Sequence, residues 1–176
     1  MSYGEDQKKE IETIKERTIK LQLSDADCDR IAKQAGKAGL TVAELLQNFI
    51  GDLVGGTYSN GSDERDYADR WFDRCWFGMF PENTLLRHLL EWNYDVDDFV
   101  TAWEEKEYAE EHPEEYEEEK ADFVEGERFW FEEEVEYVME DWKPDGEPDM
   151  KKQVEICRKW LADVQALKED GNKNID

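Results

Sequence analysis

Residues 17–54 read RTIKLQLSDADCDRIAKQAGKAGLTVAELLQNFIGDLV, and their patterning decides the fold of the amino-terminal region. Ile19, Leu21 and Leu23 alternate with Thr18, Lys20 and Gln22, the period of a half-buried strand. Ser24 follows as a helix N-cap, with Asp25 and Asp27 in the first turn, where the helix dipole favours negative charge. Cys28, Ile31, Ala32 and Ala35 recur at helical spacing, and Gly39 stands where a C′ glycine belongs. Thr41-Val42-Ala43-Glu44 is a capping box. After it, Val42, Leu45, Leu46, Phe49, Ile50 and Leu53 form one apolar stripe down a second helix.

A short strand, a helix, a glycine turn and a second helix together resemble the ribbon-helix-helix family of repressors and antitoxins. The resemblance covers residues 17–54 and implies nothing about the rest of the chain. A lone strand cannot complete its own ladder, and a two-helix unit this small cannot bury its apolar faces alone. The resemblance implies that two chains pair their strands into an antiparallel ribbon, and hence a homodimer. It places Thr18, Lys20 and Gln22, with Arg17 beside them, towards a DNA major groove, and the start of the second helix near Thr41 against a phosphate. The same pattern also fits a strand and helical hairpin that only dimerise.

The 176 residues carry a net charge of −25, unevenly spread. Residues 1–54 hold 10 acids and 8 bases, a net of −2, which leaves −23 for the remainder. A basic nucleic-acid footprint is absent overall, so any DNA-binding surface is a local patch on the amino-terminal module. Charge on this scale is a mark of disorder, but 22 aromatic residues, 7 of them Trp, supply enough ring area for real cores. Cys28, Cys75 and Cys157 are far apart and form no metal-ligand spacing, so reduced thiols on apolar helix faces are expected. No run approaches the roughly 20 apolar residues of a membrane span, and the first residues lack a signal peptide's apolar segment. A cytoplasmic protein is expected.

The expected organisation is mainly α: a polar arm at 1–16, the strand and two helices at 17–54, a linker at 55–63 (GGTYSNGSD), and an acidic, aromatic-rich helical domain at 64–176. Within that domain the first helix is predicted at 63–80, with Tyr67, Trp71 and Cys75 inward and Phe72 and Trp76 as further candidates, ended by Pro81. A leucine-rich helix capped by Asn83 or Thr84 follows, with Leu85, Leu86, Leu89, Leu90 and Trp92 as core. Another helix starts near Val96, capped by Asp95 or Asp97. His112-Pro113 interrupts it, because the residue before proline disfavours helix and proline suits a new first turn. A long helix is predicted from 113 to 142, bent near Gly126, then a second linker at 143–149 and a last helix at 150–167. The chain frays from Asp170.

The tract 101–142 holds 19 acids and 3 bases, a net of −16. As one helix at ~1.5 Å per residue it carries a net charge about every 4 Å, against about 1.7 Å for duplex DNA. Folding back at Pro113 would roughly double that density. Glu104, Glu105, Glu107, Glu110, Glu111, Glu114, Glu115, Glu117, Glu118, Glu119, Glu132, Glu133 and Glu136 are the candidate partner-binding acids. A compact acidic surface can occupy a cationic groove built for nucleic acid, whereas an ordinary charge run is a solvated face. Asp95-Val96-Asp97-Asp98 lacks the glycine and terminal glutamate of a calcium loop. His88 and His112 have no catalytic companions, and no hydrolase, metalloprotease or nucleotide-binding motif is present. No enzyme, metal or cofactor is implied. Trp71, Phe72, Trp76, Phe77 and Phe80 exceed what one helix face buries in a small domain; they are sandwiched between helices or form a partner hot spot.

Two functions follow. An acidic, dimeric, non-enzymatic protein with a repressor-like module is similar in design to the anti-CRISPR proteins of phages and mobile elements. That resemblance implies an acidic surface docking in the positive channel of a type II CRISPR effector nuclease. The alternative is a ribbon-helix-helix repressor or antitoxin-like regulator, whose Arg17, Thr18, Lys20 and Gln22 read an operator while the acidic part binds a basic partner.

Overall fold

Ser24 and Thr41 start the two helices of the amino-terminal module as their sequence demands. In the computed structural model, which describes residues 3–124 and 126–169 (without the side chains of 3–7), α1 spans Tyr3–Glu12, α2 Asp25–Lys37 and α3 Val42–Val54. The Ser24 hydroxyl accepts the Asp27 N–H at 3.2 Å. Thr41 and Glu44 form the reciprocal box, Glu44 N to Thr41 Oγ1 at 3.1 Å and Thr41 N to Glu44 Oε2 at 2.7 Å. Gly39, at φ +72°, supplies the left-handed turn between α2 and α3.

The strand expected at 17–23 does not form: residues 14–24 carry no regular structure, and no strand occurs among the described residues. A single chain offers that segment no partner for a ladder, and Ile19, Leu21 and Leu23 lie 57%, 58% and 51% exposed. The described residues are mainly helical, with ten helices, and none is long and apolar enough to cross a membrane.

The chain divides into two compact units, one ending at Pro81 and one spanning Glu82–Glu169. In the first, residues 55–63 are tied down rather than loose: the Asp52 carboxylate accepts Asn60 N at 2.6 Å and Asn60 Nδ2 at 2.9 Å. The Tyr58 and Ser59 backbone lies so close to Gly51 that a Cβ there would stand 2.6 Å from Tyr58 C. The helix predicted at 63–80 is two helices, α4 (Ser62–Arg74) and α5 (Trp76–Met79), because Cys75 is extended at φ −70°, ψ 151°. The reversal brings Phe77 edge-on to Phe72 and Trp71 at 5.3 and 6.1 Å. Gly78 makes it possible, since a Cβ there would meet Phe72 O at 2.2 Å.

The second unit holds the larger core. Its helices are α6 (Leu85–Glu91), α7 (Val96–Glu111), α8 (Pro113–Ala121), α9 (Trp130–Asp141) and α10 (Met150–Glu169). Thr84 caps α6 and Asp95 caps α7. Leu85, Leu89, Phe99, Val138, Val154 and Cys157 are fully buried among them. Gln153 on α10 accepts the Leu85 N–H at 3.0 Å, fixing α10 against the start of α6. Leu90 and Trp92, expected inward, are exposed, because α6 is only two turns long and its buried side carries Leu85, His88 and Leu89.

The single helix predicted from 113 to 142 is also two, separated by non-helical backbone around Gly126, whose φ of +93° lies outside any right-handed helix. Phe123 and Phe129 close over this break with ring centroids 4.7 Å apart. The expected fraying from Asp170 lies outside the described residues.

Candidate acidic interface

The acidic tract is built on a helical hairpin. α7 ends at His112, whose φ of −129° turns the chain, and Pro113 opens α8 at its first position. α8 then bends back towards α7. The Tyr116 hydroxyl donates to Glu105 Oε2 at 2.9 Å, and the Tyr108 hydroxyl lies 3.0 Å from both Glu115 carboxylate oxygens. These pairs, 105 with 116 and 108 with 115, brace the bend from both sides. Tyr108 stacks on the His112 ring at 4.2 Å, which stiffens the corner.

Beneath the hairpin, Tyr116 packs edge-on against Phe129 and Phe131 at 5.3 and 6.0 Å. The tyrosine bonds feed back on ionisation. Its bond to Glu105, reinforced by burial and by surrounding negative charge, pushes the Tyr116 phenol up to about 12. Tyr108 is raised in the same direction, first by Glu115 and then by burial. Both hydroxyls therefore remain donors at neutral pH.

The predicted acids divide by what they touch. Glu104 pairs with Arg158 at 2.9 Å, Glu110 with Lys106 at 2.5 Å, and Glu136 with Arg128. Glu105 and Glu115 are held by the tyrosines, and Glu132 accepts the Phe129 N–H at 3.4 Å as α9 begins. Glu107, Glu111, Glu114, Glu117, Glu118, Glu119 and Glu133 form no salt bridge among the described residues. All of these except the half-buried Glu107 are exposed. Glu110, Glu117 and Glu132, one from each of α7, α8 and α9, meet around a cavity of about 340 Å³ floored by Tyr116, Phe129 and Phe131.

Lys106 and Lys120 border the same cavity, and the sequence reading assigned them no role. Their signal was their scarcity, as two of three bases in a tract of 19 acids. Tyr108 and Tyr116 are the clamps that hold Glu115 and Glu105. No group of three or more His, Cys, Asp or Glu that could hold a metal ion occurs among the described residues.

The candidate DNA-contacting residues lie in the other unit. Arg17, Thr18, Lys20 and Gln22 sit exposed in the irregular 14–24 segment, with Arg17 Nη2 donating to Thr13 O at 3.2 Å. Thr41 is already used: Glu44 occupies both its N–H and its hydroxyl, and Thr41 holds the Glu44 carboxyl below its usual value. A phosphate at that helix start has to displace a carboxylate.

Searches of this chain against protein-family models, curated proteins and solved structures find no match.

Proposed function

We propose that this protein inhibits a nucleic-acid-binding protein by presenting the α7–α8 hairpin as a polyanion, with a type II CRISPR effector nuclease as the class of target. The observation that carries this reading is the clamp of Tyr108–Glu115 and Tyr116–Glu105. Residues 104–111 and 113–120, drawn towards one another by those bonds, hold ten acids and two lysines. At ~1.5 Å per residue each segment is about 12 Å long with a net charge of −4, one charge about every 3 Å, and the bend concentrates the two towards the charge density of duplex DNA, about one per 1.7 Å. Carboxylates on rigid helices meet a cationic channel with little ordering cost, and long-range attraction speeds encounter. In this reading the amino-terminal module pairs two inhibitor chains.

A second reading, a ribbon-helix-helix regulator, is favoured by the capped α2–α3 hairpin and by the exposed alternating segment before it. Competition for a guide-loaded nuclease against target duplex, at low and high salt, separates the two. Glu114→Lys, Glu117→Lys, Glu118→Lys and Glu119→Lys together alter exposed carboxylates outside the clamp. They should weaken nuclease binding by about tenfold or more at low salt, while Lys20→Ala with Gln22→Ala leaves it unchanged. Undiminished binding by the charge-reversed chain overturns the inhibitor. Loss of binding to a discrete DNA fragment on the Lys20 and Gln22 substitutions would establish the regulator.

A further inference from the structure

The unit ending at Pro81 has almost no interior. Among its described residues only Ala35, Gly51 and Ala68 are buried, whereas the second unit buries thirteen apolar residues in one cluster. Many of its large apolar side chains are instead displayed. Beyond the 17–23 segment and α3, the α4–α5 reversal presents Trp71, Phe72, Trp76, Phe77 and Phe80, with Trp76 77% exposed. These rings are ordered against one another: Trp76 lies 4.7 Å from Phe80, and Trp71 meets Phe49 of α3 at 5.4 Å.

We propose that α4 and α5 form, with α3 and the 17–23 segment, one continuous face that is covered by the same face of a second copy of this chain, so that the association unit runs to residue 80. The inference shares with the function proposed above only the dimer, and does not depend on what the acidic hairpin binds.

Area, charge and symmetry together select a second copy. At about 200 Å² per aromatic side chain, the exposed parts of the five rings amount to roughly 550 Å². Ile19, Leu21, Leu23, Phe49, Ile50 and Val54 carry the total past the roughly 800 Å² per partner of a stable interface. The charge also permits self-association. Residues 1–81 carry 15 acids and 11 bases, a net of −4, while residues 82–169 carry 30 and 10, a net of −20. The face therefore offers no strong single-sign field to select a charged foreign partner. α4 mixes signs along DERDYADRWFDR (63–74). Arg70 and Asp66 pair within the helix at 2.8 Å, so α4 brings no strong net repulsion to a two-fold contact with its own copy.

The test is sedimentation velocity of the full chain across the micromolar range, with Trp76→Glu, Phe80→Glu and, as a control on the other unit, Tyr137→Glu. Tyr137 is also exposed. The wild-type and control chains should sediment at twice 20.8 kDa, and the two ring variants should dissociate at concentrations at least tenfold higher while retaining helical circular dichroism. Hydrogen exchange of wild-type residues 62–80 should slow as concentration rises, a readout that needs no variant. A wild-type chain at 20.8 kDa throughout overturns the inference. So does a dimer that both variants leave intact and whose 62–80 exchange ignores concentration, since the 17–23 ribbon alone would then hold it. Neither result affects nuclease competition by the acidic hairpin.

Discussion

His88 is a buried ionisable side chain of the second unit whose environment opposes its charge. It lies on the inner side of α6, near the Trp92 and Tyr94 rings, and burial pushes its imidazole below the ordinary value of about 6.5 despite the pull of Asp141 and Glu91. A base with a depressed folded pKa takes up its proton more readily when unfolded. Its contribution to stability is therefore full above about pH 6.5 and is lost as pH falls below that value. The expected outcome is that the melting temperature of the wild type drops more between pH 7.5 and 5.5 than that of His88→Gln. Equal slopes would show that carboxylates alone set the acid response. That role was not legible in the sequence, where His88 was one polar residue in a leucine-rich helix. Burial depends on how α6 packs against α10 and α7, and TLLRHLLEW cannot encode that. Local bonds, by contrast, could be read directly: Ser24, Thr41, Thr84 and Asp95 all cap helices because their partners stand two or three residues downstream.

Helix starts followed from sequence, while helix breaks depended on distant rings. The 63–80 stretch holds no proline before Pro81, yet the chain turns at Cys75, where Phe77 gains contact with Trp71 and Phe72 that a straight helix would deny it. The 113–142 stretch breaks likewise where Phe123 and Phe129 close over Gly126. The break at His112-Pro113 was legible because proline chemistry is local, and with it the doubling back of the acidic tract. Gly78 provides the sharpest test of the α4–α5 turn. A methyl there would stand 2.2 Å from a backbone oxygen, which no rotamer can relieve. Gly78→Ala should destabilise the first unit by about 1–3 kcal/mol, seen as a lower melting temperature for that unit with the second unchanged. In the second unit, Phe99→Ala removes a fully buried ring between α7 and its neighbours. It should cost about 3–5 kcal/mol in denaturant unfolding; a loss under about 1 kcal/mol would mean that the core closes over the gap.

Across the whole molecule, negative charge is concentrated in the second unit and buried apolar side chains are nearly lacking in the first, so the two units should respond to different variables. The second unit has a buried core and a net charge of −20, so it folds against its own repulsion. Added salt screens that repulsion over a Debye length of about 8 Å at physiological ionic strength, and its melting temperature should rise with salt and ignore protein concentration. The first unit has a net charge of −4 and little interior, so salt should move it less. If a second copy supplies its missing core, each tenfold dilution removes about 1.4 kcal/mol of stability, and its transition should shift down accordingly. Calorimetry of the full chain at two salt levels and two concentrations checks both statements in one set of scans. Two transitions, one following salt and the other concentration, are expected. A single transition that ignores concentration would mean that the aromatic face of α4 and α5 is stable in water without a partner chain.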